Sequence, residues 1–238
     1  MTPLFAIARR EFASFFRSST GWVIIALYLL LSGFYVAFVT LKPNDPASMR
    51  AFFSVSRWLL LVVAPAISMK LLADEFRAGT IEPLAAAPVS EWAVVFGKYL
   101  GAFAFLLAML APTLLYVALL EHLANPDYGP ILCGYLALLL TGALYLAVGT
   151  LASSLTQNQV VALLLTLFFF IGMEVIATQV AVMLGPPWDR PLFSLSLSRR
   201  VEDFARGVVD TSHLVFFTVL SAWFLILAVV RLESRRWR

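Results

Sequence analysis

The sequence predicts an all-α integral membrane protein with six transmembrane helices. The chain has 238 residues, of which 61% are hydrophobic and only 13% are charged, whereas soluble domains carry about 25% charged residues. Its mean hydropathy is +0.90. A soluble fold of this length could not bury so much apolar surface, and six separate apolar runs indicate where the chain crosses the membrane.

Each of the six runs is a candidate for a spanning helix, which needs about 20 mostly apolar residues. They cover residues 21–41, 58–72, 94–120, 131–152, 160–184 and 213–230. The second run is short, and we expect its helix to begin nearer Phe52. The transmembrane domain therefore occupies residues 21–230, preceded by an N-terminal segment (1–20) and followed by a basic tail (231–238).

Lysine and arginine residues predict the orientation, because cytoplasmic segments are enriched in them. With the termini inside, ten basic residues lie on the inner side: Arg9, Arg10, Arg17, Lys70, Arg77, Lys98, Arg231, Arg235, Arg236 and Arg238. Seven lie on the outer side: Lys42, Arg50, Arg57, Arg190, Arg199, Arg200 and Arg206. These residues flank the apolar runs and form no stripe, which argues against a nucleic-acid-binding surface. We expect both termini to be cytoplasmic.

The N-terminal segment predicts an amphipathic helix, capped by Thr2 and with Pro3 in its first turn. Apolar side chains recur at helical spacing: Phe5, Ala8, Phe12 and Phe15 or Phe16. The opposite side carries Arg10, Ser14 and Arg17. Such a helix lies in the headgroup plane, and the alternative is an ordinary basic flank of the first span. The segment lacks a continuous apolar core, so we expect no cleavable signal peptide.

The segment 74–98 is a charged, turn-rich island between the second and third runs. Gly79-Thr80 offers a turn followed by a cap, which predicts a short helix over 80–87 that ends at Pro88. Ser90 is then the expected cap of the next helix, which enters the membrane. A short helix projecting from the inner face is typical of a docking element for a soluble partner, whose movement the third span would transmit.

The segment 186–212 is too polar to span a membrane. Pro186-Pro187 ends the fifth helix, and Ser198 is the expected cap of a short helix. Its apolar face would carry Val201, Phe204 or Ala205, and Val208, and its wet side an Arg199–Asp203 pair. The two interpretations are an amphipathic outer helix resting on the bundle and a plain surface loop.

Three motifs, in a fixed order along the chain, resemble those of a known family. The first is Glu75-x-Arg77-x-Gly79-Thr80-x-Glu82-x-Leu84, followed by Pro88 and Gly97-Lys98. The second is Gly149-x-Leu151-x-Ser153-Ser154-Leu155-Thr156-x-Asn158-Gln159, and the third is Phe204-x-x-Gly207-Val208-Val209-Asp210. With these motifs the whole chain resembles the type-2 ABC exporter permeases, especially the compact six-span subfamily that includes gliding-motility-associated permeases. One departure is Pro83, where an apolar helix former such as Leu is expected.

The resemblance implies a permease of the inner membrane of a prokaryote that pairs with a second copy or a homologous permease. It makes the N-terminal helix an elbow helix, 80–87 a coupling helix, and the segment after span five a set of short outer helices. A cytoplasmic ABC ATPase subunit would bind ATP and Mg and dock on the coupling segment: Glu75, Arg77, Gly79, Thr80, Glu82 and Leu84. A secondary contact would involve the inner turn, Thr156, Gln157, Asn158 and Gln159, or this is only a tight polar turn.

The chain itself shows no sign of catalysis. Gly97-Lys98 resembles part of a P-loop, but Trp92 replaces the required glycine and Tyr99 the Ser or Thr. The sequence has no Gly-x-Ser-x-Gly or His-Glu-x-x-His motif and no intramembrane Ser/His or Asp/Asp pair. With two His and the single Cys133, we expect no metal site and no intrachain disulfide. We predict that the chain is not an enzyme.

Three residues are candidates for an exit gate or path: Glu174, Gln179 and Phe204. Glu174 lies about 15 residues into span five, roughly 20 Å from its inner end at about 1.5 Å per residue. A carboxylate at that depth is costly unless it faces protein or water. It would line a gate or sense protons, or, if span five ends early, it touches the outer interface.

Two functions remain open from the sequence. The first is ATP-driven export of a hydrophobic or amphipathic substrate. The second is transmission of ATPase-driven movement to a periplasmic or outer-surface partner, with no bulk transport. Small residues in span four, Gly142, Ala143 and Gly149, allow close approach by another helix, and the dimer interface is one candidate for it.

Overall fold

The structure, a computed structural model, describes residues 3–40, 48–79, 89–123 and 126–236, with side chains up to residue 234. All regular structure in these ranges is helical. Six helices among them are long and apolar enough to cross a membrane: Ser19–Thr40, Arg50–Ala78, Glu91–Leu123, Tyr128–Leu155, Gln159–Leu184 and Thr211–Ser234. The prediction of an all-α protein with six spans is confirmed. Span two begins at Arg50, close to the expected Phe52.

The first half of the chain contains the N-terminal helix and three spans. Helix α1 covers Pro3–Arg17, and span one is α2 (Ser19–Tyr35) continued by a π-helical turn, Val36–Thr40. Span two consists of α3 (Arg50–Ser68) and, after a four-residue break, α4 (Ala73–Ala78). Span three consists of α5 (Glu91–Leu110), a 3-10 turn (Ala111–Thr113) at Pro112, and α6 (Leu114–Leu123).

The second half contains three spans and two short helices. Span four is the single helix α7 (Tyr128–Leu155). Span five consists of α8 (Gln159–Val175), a π-helical turn (Ile176–Val180) and α9 (Ala181–Leu184). The short helices α10 (Asp189–Phe193) and α11 (Leu197–Ala205) precede span six, α12 (Thr211–Arg236).

Helix α7 is the centre of the bundle. Buried positions make up 61% of its most apolar stretch, against 28% in span one and 22% in span five. Helices α3, α5, α8, α11 and α12 all pack against it. A Cβ on Gly142 would lie 2.6 Å from a methyl carbon of Leu106, and Gly149 faces the Ser68 side chain. Gly142 and Gly149 therefore admit side chains of other helices of the same chain. A dimer interface at this part of span four stays a prediction.

The bundle has two ends, which we call the α1 face and the α11 face. The α1 face carries α1, α4, the start of span three and the turn between spans four and five, since hydrogen bonds or ion pairs join these elements. The α11 face carries α10, α11 and the opposite ends of the spans. At that end a cavity of about 440 Å³ is lined by Thr40, Met49, Pro130 and Ala205, among others, from four parts of the chain.

Helix α1 lies along α5. It buries Phe15 completely, while Phe5 remains 63% exposed. The side facing α5 carries Ala8 and Glu11. The buried side therefore shares Ala8 and Phe15 with the predicted apolar face and leaves out Phe5. The expected cap, Thr2, lies outside the described residues. The placement of α1 in the headgroup plane stays a prediction.

Candidate functional site

A cluster of four charged side chains joins three elements at the α1 face. Lys98 of α5, only 2% exposed, places its Nζ 2.8 Å from Oε1 of Glu11 in α1 and 2.8 Å from Oε1 of Glu75 in α4. Nη2 of Arg10 lies 3.3 Å from each of the same two oxygens. Two cations and two carboxylates thus neutralise one another, which is the condition under which charges can be buried. We call these four residues the ionic cluster.

Two glycines one helical turn apart make the ionic cluster possible. A Cβ on Gly97 would lie 3.0 Å from the Leu4 carbonyl oxygen, and one on Gly101 would lie 2.7 Å from the Ala8 carbonyl oxygen. The backbone of α1 therefore approaches α5 as closely as only glycine allows, in the small-xxx-small arrangement of packed membrane helices. This approach brings Glu11 within reach of Lys98.

The break in span two is held by the side chain of Ser153 in α7. Its Oγ accepts hydrogen bonds from the backbone N–H groups of Leu72 (3.0 Å) and Ala73 (2.9 Å) and donates one to the Met69 carbonyl (2.9 Å). A helix break inside protein leaves backbone groups that must find partners. Ser153 satisfies three of them, and it also caps the start of α4.

The predicted inner turn contacts α4 from another side. Asn158 caps α8, since its Oδ1 accepts a hydrogen bond of 2.9 Å from the Val160 N–H, and Thr156 Oγ1 accepts one of 3.1 Å from the Asn158 N–H. The Gln159 side-chain amide donates to the Asp74 carboxylate. This turn is therefore tied to the first residues of the island 74–98.

The predicted coupling residues are only partly described. Glu75 belongs to the ionic cluster, Arg77 is exposed, and Gly79 ends α4 in the left-handed region with a φ of 67°. Thr80, Glu82 and Leu84, together with the expected helix over 80–87, lie outside the described residues. Of the three charged residues in α4, Asp74 and Glu75 thus bond to other elements of the bundle, and Arg77 is exposed. The contact of these residues with an ATPase stays a prediction.

Glu174 lies towards the α11 face and holds the beginning of α11. Its carboxylate accepts hydrogen bonds from the Ser196 hydroxyl (3.2 Å), the Leu197 N–H (3.2 Å) and the Ser198 hydroxyl. A carboxylate at a helix N-terminus satisfies free N–H groups and interacts favourably with the helix dipole. Span five continues past Glu174 to Leu184, so the interpretation in which the span ends early is wrong.

The structure corrects two expectations about α11. Ser196, not Ser198, caps it, with its Oγ accepting from the Arg199 N–H at 3.4 Å, because Ser198 is turned towards Glu174. The expected Arg199–Asp203 pair does not form: Arg199 stacks on the Phe193 ring at 3.8 Å, and Asp203 contacts Nε2 of His213 at 3.2 Å. Helix α11 is amphipathic, as predicted, with one face buried against α7 and α3.

Arg200 ties α11 to its two neighbours in the chain. Its guanidinium donates to the Ser194 carbonyl and to Nδ1 of His213, at 2.6 Å for the latter. Because arginine only donates, Nδ1 of His213 is the acceptor, and the ring proton sits on Nε2, facing Asp203. Burial lowers the pKa of the Arg200 guanidinium, which nevertheless stays charged because that pKa starts so high.

The three candidate path residues do not share one site. Glu174 and Gln179 line a cavity of about 310 Å³ beside Phe170. Phe204 does not border this cavity and is fully buried in the core of the bundle, with its ring 5.7 Å from that of His213. The role of all three as a gate or path stays a prediction. The described residues contain no group of three or more His, Cys, Asp or Glu able to hold a metal.

Sequence reasoning missed what Glu11, Ser153 and Lys98 contact in these sites. A signal existed for Lys98, since it lies inside the pattern Gly97-x-x-x-Gly101. Ser153 belongs to the second motif, but its contacts were not predicted, and Glu11 had no signal. The partners of Glu11 and Ser153 lie 87 and 80 or more residues away in the chain.

These features define a class: a multi-pass α-helical membrane protein in which a short helix at the end of span two, α4, bonds to several other elements of the bundle. The model of the family described as ABC-2 family transporter protein matches residues 5–235. The chain therefore belongs to this family, the type-2 ABC permeases, which are membrane components of transporters. No match to the sequence is found among curated proteins. The resemblance to the gliding-motility subfamily stays a prediction.

Proposed function

We propose that the chain is the permease subunit of an ATP-driven ABC transporter that exports a hydrophobic or amphipathic substrate. A separate cytoplasmic ATPase subunit binds ATP and Mg and hydrolyses the nucleotide, and this chain converts its movement into a change of the bundle. Family membership supports the permease role. The observation that carries the coupling is the position of α4, which directly precedes the segment where the ATPase would dock.

Helix α4 is suited to pass on a displacement because its contacts reach four other elements. Glu75 ties it to α1 and span three, Ser153 ties it to span four, and Asp74 ties it to span five. A push on the segment after Gly79 would therefore act on several spans together. The break between Ser68 and Ala73 lets α4 move without bending α3, because it interrupts the backbone hydrogen bonds of span two.

This function requires a definite orientation and partners. The α1 face lies in the cytoplasm of a prokaryote, the chain sits in the inner membrane, and α10 and α11 lie on the outer side. The transport path forms with a second copy or a homologous permease. The tail at the end of α12 supports this orientation, since Arg231 is followed by three further arginines in the sequence and cytoplasmic segments are enriched in basic residues.

The second candidate function is transmission of movement without bulk transport. It is favoured by the direct packing of α11 on α3 and α7, through which a displacement of span two would reach the α11 face. The partner there would be a periplasmic or outer-surface protein. Substrate-dependent stimulation of ATP hydrolysis distinguishes the two functions, because only a transporter has a substrate.

The coupling proposal is tested by co-purification of the chain with the ATPase from its own operon. We compare the wild type with Glu82→Arg, and with Glu121→Arg as a matched charge reversal on an exposed residue at the other end of the bundle. We expect the ATPase to be retained by the wild type and by Glu121→Arg and lost from Glu82→Arg. Retention by Glu82→Arg shows that the island is not the main dock. If the wild type binds no ATPase, the transporter proposal fails.

A further inference from the structure

A basic chamber lies between α3 and α11 near the α11 face. Its volume is about 420 Å³, and it is lined by Arg50, Arg57 and Arg206, with Ser54, Ser198 and Glu202 among its other walls. Glu202 is paired with Arg206. The described lining residues thus bring three guanidinium groups and one carboxylate to this chamber, which is an excess of positive charge.

An apolar chamber adjoins it deeper in the bundle. This is the cavity of about 310 Å³ that Glu174 and Gln179 line, and its apolar lining includes Trp58, Leu61, Phe170, Ile171 and Val175. Trp58 is 50% and Val175 47% exposed, so the chamber opens sideways between spans two and five. Arg57 and Ser198 belong to both chambers, which therefore meet at these two residues.

The surroundings of Arg57 indicate an anionic ligand. It lies seven residues into α3, about 10 Å along the helix, and is only 6% exposed. Its guanidinium stacks on the Trp58 ring at 4.3 Å and interacts with the Tyr145 hydroxyl. Within the described part of the chain, no carboxylate forms an ion pair with it. A buried arginine in a membrane span is costly without an anion, and its five N–H donors suit a phosphate or carboxylate.

The distribution of charge determines which way an amphipathic ligand would lie. Glu174 borders the apolar chamber, and its carboxylate repels an anion there, although its oxygens are already bonded to the start of α11. Among the described residues that line the basic chamber, the one carboxylate, Glu202, is paired with Arg206. An anionic group is therefore stable beside Arg50 and Arg57, and an apolar chain is stable beside Trp58 and Phe170.

We propose that the two chambers together bind one lipid-like molecule with an anionic headgroup. The phosphate or carboxylate lies in the basic chamber against Arg57, and the acyl chain passes through the apolar chamber and out between Trp58 and Val175. Both volumes fall in the range of small-molecule sites. That this molecule is the exported substrate rests on the proposed function, whereas its binding does not.

The test is lipid binding to the purified full-length chain, measured by native mass spectrometry in detergent. Phosphatidylglycerol is compared with phosphatidylcholine of the same acyl chains, because they differ in net charge and share the apolar part. We expect the wild type to prefer phosphatidylglycerol by about tenfold or more, as charge-assisted hydrogen bonds imply, and Arg57→Gln to lose this preference. The control is Arg190→Gln, which removes the same charge from an exposed residue of the same face that lines neither chamber.

Two further measurements separate the parts of the proposal. Ile171→Trp reduces the volume of the apolar chamber and retains Arg57, and we expect it to weaken the binding of both lipids while the folded state persists in thermal unfolding. Inorganic phosphate in the same molar excess should leave phosphatidylglycerol bound, because it lacks the chain. If phosphate displaces the lipid, the ligand is a free anion and the lipid proposal is wrong.

An unchanged preference for phosphatidylglycerol in Arg57→Gln overturns the proposed site altogether. None of these measurements involves the ATPase, so they fail or succeed independently of the proposed function.

Discussion

Lys98 is the residue that most changes the interpretation of the α1 face. By sequence it marks the entry of span three into the membrane, where a lysine ordinarily extends to the headgroups. In the structure its ammonium is almost completely buried between the carboxylates of Glu11 and Glu75. The reason is geometric: α1 covers this side of α5, so the carboxylates nearest to the Lys98 ammonium lie inside the protein.

Removal of the Lys98 charge is expected to destabilise the folded chain strongly. Lys98→Met keeps the length of the side chain but leaves two carboxylates with Arg10 as their only partner in the ionic cluster. Breaking a buried ion pair from one side costs about 3–5 kcal/mol. The measurement is the free energy of unfolding in detergent micelles.

A double substitution shows whether the loss arises from the cluster. Adding Glu11→Gln to Lys98→Met removes one of the two carboxylate charges that Lys98 balances, and we expect part of the lost stability to return. If the two effects simply add, the charges do not interact, and the ionic cluster does not explain the burial of Lys98.

At the scale of elements, α4 is a short helix that side-chain contacts attach to the bundle. Six residues are too few for a helix that is stable alone, so its position depends on what holds it. Ser153 supplies hydrogen bonds to its first turn, and Glu75 supplies the link to α1 and α5. The strength of these attachments determines how far a displacement of α4 spreads.

Loss of the Ser153 hydroxyl is expected to loosen α4 locally. Ser153→Ala leaves the N–H groups of Leu72 and Ala73 without this acceptor, at a cost of about 1–3 kcal/mol. Ser154→Ala is the matched control, since Ser154 is equally buried but its hydroxyl bonds the Leu151 carbonyl of its own helix. Hydrogen exchange at the two amides should accelerate in Ser153→Ala and not in Ser154→Ala. Equal exchange in both variants contradicts the proposed role.

The close contact between α1 and α5 depends on glycine at position 101, which has no side chain. In Gly101→Ala the new methyl group meets the α1 backbone 2.7 Å away, so α1 must shift, and we expect a loss of about 1–3 kcal/mol. Gly172→Ala is the control, because a Cβ there meets nothing within 4 Å. It should stabilise its helix by up to about 1 kcal/mol. Thermal unfolding of both variants checks the opposite signs, and equal effects would argue against close packing of α1.

The whole molecule is a bundle around α7 with different chemistry at its two ends. The α1 face holds a neutralised ionic cluster and the anchored α4, whereas the α11 face holds a basic chamber and the helices between spans five and six. This asymmetry suits the proposed function, in which one end would receive the ATPase and the other would face the exit.

The orientation follows as a prediction at this scale. In a Cys133→Ala background, which removes the only cysteine, Ala78→Cys probes the α1 face and Val209→Cys the α11 face, both at exposed positions. A membrane-impermeant maleimide should label Val209→Cys in intact cells and Ala78→Cys only after lysis. The reverse pattern would invert the bundle and place the predicted docking segment outside. The background chain without cysteine is the control for non-specific labelling.

The sequence by itself determined the class of the protein, the number of spans and the positions of most helix ends. These properties depend on local composition: apolar length decides what crosses a membrane, and a cap such as Ser90 needs only the residues that follow it. Tertiary structure decided which charges meet. Lys98 donates a hydrogen bond to Glu11, and Ser153 accepts one from the Leu72 N–H. Glu174 binds the start of α11, where Ser196 and not Ser198 is the cap. Such partners are far apart in the chain, and only the packing of helices around α7 brings them within reach of one another.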